Sequence, residues 1–157
     1  MAARYVAVVG PSASSLAGQP DREAVLATAY DVGQLLAERG AVVLCGGGTG
    51  VMGSAAEGAA AGGGTSIGLL PGADRSEAHP SLSFALPTGL GELRNGLLVR
   101  AADAVVAVGG SWGTLSEIAL AVRTGVPVVS LLGWDLPDGV RREASAADAV
   151  DAALTSR

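Results

Sequence analysis

The sequence predicts an α/β fold. The expected architecture is one three-layer domain over residues 1–157, with a mostly parallel sheet of six or seven strands and helices on both faces. Three observations predict it. Short runs of consecutive apolar residues recur along the chain without polar alternation, the pattern of strands buried on both sides. Segments with apolar residues at helical spacing separate these runs. Two of the runs end in glycine-rich turns that pass directly into helix-like stretches. In such a sheet, right-handed crossovers put the strand-to-helix turns on the carboxyl edge, where ligands bind.

Tyr5 to Val9 reads as the first buried strand, stopped by Gly10-Pro11. Residues 12–18 are small and polar and read as a loop. Pro20-Asp21-Arg22-Glu23 has the marks of a helix start, with proline in the first turn and acids beside the positive end of the dipole. Val25, Ala29, Val32 and Leu36 then recur on one face, and Gly40 ends the helix. Val42 to Cys45 is a second strand, and Val51 to Ala61 a small-residue helix closed by Gly62-Gly63-Gly64. Thr65 to Leu70 is a third strand ended by Pro71-Gly72, and Leu82 to Leu86 a short one. Glu92 to Ala102 reads as a helix with Leu93, Leu97 and Ala101 as its inward stripe. Ala104 to Val108 is a strand, and Thr114 to Thr124 a helix with Leu115, Ile118 and Val122 on one face. Pro127 to Leu132 is a strand, residues 133–142 are turn-rich, and Ser145 caps a last short helix to Leu154.

Composition narrows the functional classes. Aromatic residues are only 3%, so the core is expected to be aliphatic side chains and alanine. Mean hydropathy is high at +0.43, yet no apolar run reaches the ~18 residues of a membrane span. Residues 1–5 run directly into a strand without the apolar core of a signal peptide, so a cytoplasmic location is expected. Net charge is −5 and no basic run occurs, which argues against general nucleic-acid binding. A single cysteine, Cys45, excludes an intrachain disulfide and a multi-cysteine metal site, and no metal-ligand spacing appears. Its place at a strand end reads as a buried, inert thiol.

All ten basic residues are arginine. Without lysine there is no internal Schiff base, hence no pyridoxal phosphate enzyme of the lysine-anchored kind, and no Walker A loop. Any cationic contact to phosphate falls to arginine.

The candidate site lies in the glycine turns. The first is Gly46-Gly47-Gly48-Thr49-Gly50-Val51-Met52-Gly53, and the second runs from Gly109 to Glu117. Glycine lets backbone N–H groups crowd a ligand, and a helix N-terminus favours anions, so both suit a phosphate-bearing molecule. Gly48-x-Gly50-x-x-Gly53 also fits the dinucleotide fingerprint formally. It follows the second strand rather than the first, however, and lacks a cleanly placed ribose-binding acid. Thr114-Leu115-Ser116-Glu117 reads as a capping box; its functional alternative makes Glu117 a general base or an oxocarbenium-stabilising carboxylate. Arg94 is either a solvated surface arginine or a guanidinium fork aimed at phosphate. Trp112 either stacks on a base or pterin ring or packs as a lid against a neighbouring subunit. Ser12 and Ser14 either touch phosphate or cap loop backbone. His79, the only histidine, reads as a loop residue, and no Ser-His-Asp set accompanies it.

The two glycine motifs, together with Leu93-Arg94-Asn95, resemble the Lonely Guy superfamily over nearly the whole chain, and within it the molybdenum cofactor carrier protein-like, nucleotide-binding branch. The resemblance implies a Rossmann-like parallel sheet and a homodimer or higher homo-oligomer. In the phosphoribohydrolases of that superfamily, residues matching Arg94 and Glu117 are catalytic and cleave the N-glycosidic bond of nucleoside 5′-monophosphates. Those enzymes carry Arg-Lys where this chain has Arg94-Asn95, so the site has one positive charge fewer.

The preferred expectation is therefore a binding or carrier protein for a phosphorylated heterocycle, with a nucleotide or the molybdenum cofactor as ligand and no cofactor required. The alternatives are a phosphoribohydrolase, and a dinucleotide-dependent oxidoreductase. The expected ligand-binding residues are Gly10, Ser12, Gly47, Gly48, Thr49, Gly50, Met52, Arg94, Asn95, Gly109, Gly110, Trp112, Gly113 and Thr114, with Arg94 and Glu117 catalytic in a hydrolase.

Overall fold

The structure is a computed structural model that describes residues 2–157. Its strands are β1 (Tyr5–Val9), β2 (Val42–Cys45), β3 (Ser66–Leu70), β4 (Phe84–Pro87), β5 (Ala104–Val108), β6 (Val128–Leu131) and β7 (Arg141–Arg142). They form one sheet in the order β4-β3-β2-β1-β5-β6-β7, and every neighbouring pair is parallel. The helices are α1 (Ala13–Leu16), α2 (Arg22–Glu38), α3 (Val51–Ala61), α4 (Arg94–Ala101), α5 (Trp112–Thr124) and α6 (Ala146–Thr155). This is the Rossmann-like three-layer architecture expected from the apolar runs.

Strand periodicity divides the core into two. Val6 and Val8 of β1 point with Val43 and Val106 toward α2, α3 and α6, where Val32, Leu36, Val51 and Val150 meet them. Ala7 and Val9 point the other way, with Leu44, Val105 and Ala107, toward Leu98 and Val99 of α4 and Ile118 and Ala121 of α5. Successive side chains of a strand alternate faces, so a run with no polar member fills both layers.

Helices α2 and α3 pack backbone to backbone. A Cβ on Gly33 would lie 2.1 Å from the Ala55 carbonyl oxygen, and one on Gly58 would lie 2.0 Å from that of Tyr30. Only glycine permits this approach, and it clamps the helix that begins at the first glycine turn against the long helix behind it.

Four elements differ from the sequence reading. Residues 13–16, read as loop, form the single turn α1, capped by the Ser12 hydroxyl, which accepts from the Ser15 N–H. The turn-rich stretch before the last helix contains the two-residue edge strand β7. The expected inward stripe of α4 is displaced: Leu93 and Leu97 are exposed, while Leu98 and Val99 are buried. A 3-10 turn over Gly91–Leu93 precedes α4. Leu93 therefore lies outside α4, and within the helix it is Leu98 and Val99 that dock on the sheet. Likewise α5 buries Thr114, Glu117, Ile118 and Ala121, while Leu115 is half-buried and Val122 exposed.

Candidate functional site at the sheet switch point

From β1 the chain moves outward through β2 and β3 on one side, while β5 and β6 lie on the other. The carboxyl ends of β1 and β5 flank that reversal, the place where α/β sheets open a crevice. Gly10 ends β1 there. A Cβ on it would sit 2.3 Å from the Val108 carbonyl oxygen and 2.7 Å from Val51, so glycine lets β1, β5 and α3 converge. The first glycine turn is laced to the same corner. Val51 N–H donates to the Pro11 carbonyl at 3.1 Å, and Ala13 N–H to Thr49 Oγ1 at 3.3 Å. Gly50, with φ of 71°, lies so close that a Cβ would be 2.5 Å from the Pro11 oxygen.

Two clefts open on this edge. The switch-point cleft, about 460 Å³, is lined by Gly10, Ser12, Met52, Arg94, Asn95, Gly110, Trp112, Gly113, Thr114 and Glu117, and also by Ser15, Gln19, Ser111 and Trp134. Its neighbour, about 580 Å³, is lined by Gly46, Gly48, Thr49, Met52 and Arg94 and by the segment from Leu70 to Glu77. Arg94 and Met52 form the ridge between them. The neighbour is larger, but its acids Asp74 and Glu77 are exposed at the rim; the smaller cleft holds the buried ionisable group. Gly47, Gly50 and Gly109 line neither cleft and instead shape the turns behind them.

Arg94 is held, not solvated. Its Nε donates to the Leu69 carbonyl at 2.8 Å, its Nη1 to Asn95 Oδ1 at 2.5 Å and its Nη2 to the Gly46 carbonyl at 3.2 Å. A guanidinium has five N–H groups, so some remain for a ligand. A Cβ on Gly46 would lie 2.7 Å from the Arg94 Nη2, so the first glycine turn makes room for this side chain. Asn95 extends the contact. Its Nδ2 donates to Ser116 Oγ at 3.3 Å, and Ser116 Oγ donates to the Gly113 carbonyl at 2.7 Å. Where the resemblance sets a lysine in the hydrolases, this chain has a neutral bridge between α4 and the start of α5.

The cap of α5 is Ser111, whose Oγ accepts from the Thr114 N–H at 3.2 Å. The capping box read at Thr114 to Glu117 is therefore corrected: the helix begins earlier, at Trp112, and Glu117 has no capping N–H to return to. The other N–H groups of a first helical turn have no intrahelical acceptor, and Trp112 and Gly113 line the cleft. Glu117 lies one turn deeper, 7% exposed. It forms no salt bridge among the described residues. Burial pushes its carboxyl up to about 7 against the pull of Arg94.

The remaining singled-out residues fall into place structurally. Cys45 is buried, and desolvation raises its thiol to about 11, as suits an inert side chain. His79 clasps the loop after β3 to the first glycine turn. Its N–H donates to the Gly47 carbonyl, and its ring lies on Gly53. Nδ1 accepts from Ser81 N–H at 3.2 Å, which leaves Nε2 as the donor toward Glu57, 3.2 Å away. Ser14 meets the Ser12 hydroxyl at 3.0 Å but does not line the cleft. Among the described residues no helix is long and apolar enough to cross a membrane.

The residues that sequence reading missed are Ser15, Gln19, Ser111 and Trp134. Trp134 carried a signal, as an aromatic behind a glycine just past a strand, like Trp112 in its own turn. Ser15 and Gln19 carried none, because their place depends on α1.

The fold and its cleft define a Rossmann-like protein with a ligand-sized crevice at the switch point. The chain belongs to the SLOG cluster4 family, which matches residues 3–154, in agreement with the superfamily its motifs resemble. Its structure is similar to the molybdenum cofactor binding protein of the phototrophic bacterium Rippkaea orientalis, with 34% identity, TM-score 0.87, and coverage of 96% of this chain and 95% of that one. It is also similar to the molybdenum cofactor carrier protein of Chlamydomonas reinhardtii, with 33% identity, TM-score 0.86, and 96% of each chain covered. An uncharacterized protein of Archaeoglobus fulgidus is 36% identical over 140 residues, covering 89% of this chain and 91% of its own.

Proposed function

We propose that this protein binds and carries a phosphorylated heterocyclic molecule, a nucleotide or a molybdopterin-type cofactor, in the switch-point cleft. One observation carries the reading: Arg94, held by the first glycine turn, lines the switch-point cleft together with the second glycine turn at the start of α5. Backbone N–H groups at a helix N-terminus and a guanidinium with free N–H groups together suit a phosphate. The volume of the cleft is that of a small-ligand site. The likeness to two molybdenum cofactor proteins supports the same class of ligand. Asn95 supports carriage over turnover, since it spends its amide on joining α4 to α5.

Glu117 favours a second reading, a nucleoside 5′-monophosphate phosphoribohydrolase. A carboxyl poised near neutrality in the same cleft can exchange a proton with the reacting groups. Water would add across the N-glycosidic bond, releasing the free base and ribose 5-phosphate, with Arg94 on the phosphate.

One experiment separates the readings. Adenosine and guanosine 5′-monophosphates are titrated by calorimetry, and the mixtures are then chromatographed. Carriage predicts saturable binding, weakened about tenfold or more by Arg94→Ala, with the nucleotide recovered intact. Hydrolysis predicts equimolar base and ribose 5-phosphate, lost in Glu117→Gln. Absence of binding would refute both. The exposed Leu93 and Leu97 support the homo-oligomer that the resemblance implies, which sedimentation equilibrium tests.

A further inference from the structure

The chain has two tryptophans, and the fold brings both to the mouth of the switch-point cleft. Their ring centroids are 5.2 Å apart and their planes meet at 78°, an edge-to-face pair at nearly a right angle. Trp112 is 79% exposed, so most of the residue faces solvent. Trp134 is 41% exposed and its place is built. It follows Leu132, the sole non-glycine residue with positive φ (53°) among the described residues. It also follows Gly133, where a Cβ would lie 2.9 Å from Ser130 Oγ and 3.1 Å from the Gly109 oxygen. Beneath the indole lies Gly110, where a Cβ would be 2.6 Å from the ring. Arg142 holds the backbone from the other side, donating from Nη2 to the Trp134 carbonyl at 2.7 Å. A leucine in the left-handed region is strained, and such strain gathers where a side chain has to be presented. Here it turns the chain so that an indole lies across the second glycine turn.

We infer that Trp112 and Trp134 form an aromatic corner that takes the flat ring of the ligand, stacking on one indole and abutting the other, while the start of α5 and Arg94 take its phosphate. This rests on the phosphate-binding reading above and adds a selectivity to it: the cleft prefers phosphates that carry a planar heterocycle over phosphorylated sugars. Aromatic faces attract flat rings without demanding a particular hydrogen-bonding edge. The corner therefore sets the class of ligand rather than one base.

Because no other tryptophan is present, intrinsic fluorescence excited beyond the tyrosine band reports this corner alone. The full chain is titrated with guanosine 5′-monophosphate and, separately, with ribose 5-phosphate. The nucleotide is expected to quench the emission and ribose 5-phosphate to leave it unchanged. Trp112→Ala, at an exposed position that tolerates truncation, is expected to weaken the nucleotide about tenfold or more. It should leave ribose 5-phosphate affinity, measured by calorimetry, as it was, and Trp112→Phe should restore the nucleotide. Trp134→Phe gives a second handle, retaining affinity and leaving Trp112 as the only reporter. The inference is overturned, with the phosphate reading intact, if the nucleotide binds in an Arg94-dependent way but Trp112→Ala and Trp134→Ala leave its affinity unchanged. An equal loss of both ligands in Trp112→Ala overturns it as well, as does a changed sedimentation coefficient with unaltered nucleotide affinity. If neither compound binds, the phosphate reading and the inference fall together.

Discussion

Replacing Glu117 by glutamine tests the electrostatics of the cleft without any ligand. The carboxyl is buried, and its folded-state value is about 7 against an ordinary 4.5, with desolvation as the dominant cause. In the unfolded chain the same group ionises near its ordinary value. Between the two the unfolded state sheds a proton that the folded state keeps, so wild-type stability falls as pH rises through that window. At ~1.4 kcal/mol per pH unit of separation, the full penalty above pH 7 is about 3 kcal/mol. Glutamine keeps the shape and has no charge to bury. Glu117→Gln should therefore match the wild type near pH 4.5 and become the more stable protein by about 3 kcal/mol at pH 8. For a chain of this length that is roughly 6–12 °C in melting temperature. Thermal unfolding of both proteins across this pH range, followed by circular dichroism, measures it. Melting curves of the two proteins that stay parallel at every pH would refute the buried, uncompensated carboxylate.

Three further changes probe how the site is built. Gly33→Ala sets a Cβ 2.1 Å from a backbone oxygen of α3 and should cost at least about 2 kcal/mol in chemical denaturation, since neither backbone can yield. Ser111→Ala removes the cap of α5; a loss of about 1 kcal/mol is expected, with weaker phosphate binding by calorimetry as the start of the helix frays. Leu132→Asn places a residue that tolerates positive φ at a half-exposed position, and unfolding should show a gain of about 1 kcal/mol.

Much of this architecture is readable in the sequence because it follows from local patterns. Runs such as Ala104 to Val108 have no polar member, and Val25, Ala29, Val32 and Leu36 keep a clean helical spacing; every one of these residues is buried. The glycine turns were visible for the same reason. The phase of α4 was not, because Leu97, Leu98 and Val99 are consecutive, and the choice among them depends on how the helix docks against the sheet. The cap of α5 was misplaced because Thr114-Leu115-Ser116-Glu117 matches the capping box, whereas Ser111 has no glutamate or glutamine three residues on and caps through its hydroxyl alone. The edge strand β7 is too short to show a period. Trp134 joins the cleft through a strained turn and a contact with Gly110, neither of which is a local feature of its own segment.

One arginine serves the crevices on both of its sides. If the proposed phosphate site is correct, an anion held from the left would take hydrogen-bond donors that an anion on the right needs, so two separate small anions would compete for the same cation. A single extended molecule reaching over the Arg94–Met52 divide escapes that competition and satisfies the guanidinium from both flanks. On that reading the partition would reward length in a ligand: its two halves would act as one occupant, whereas its fragments, offered together, would interfere with each other.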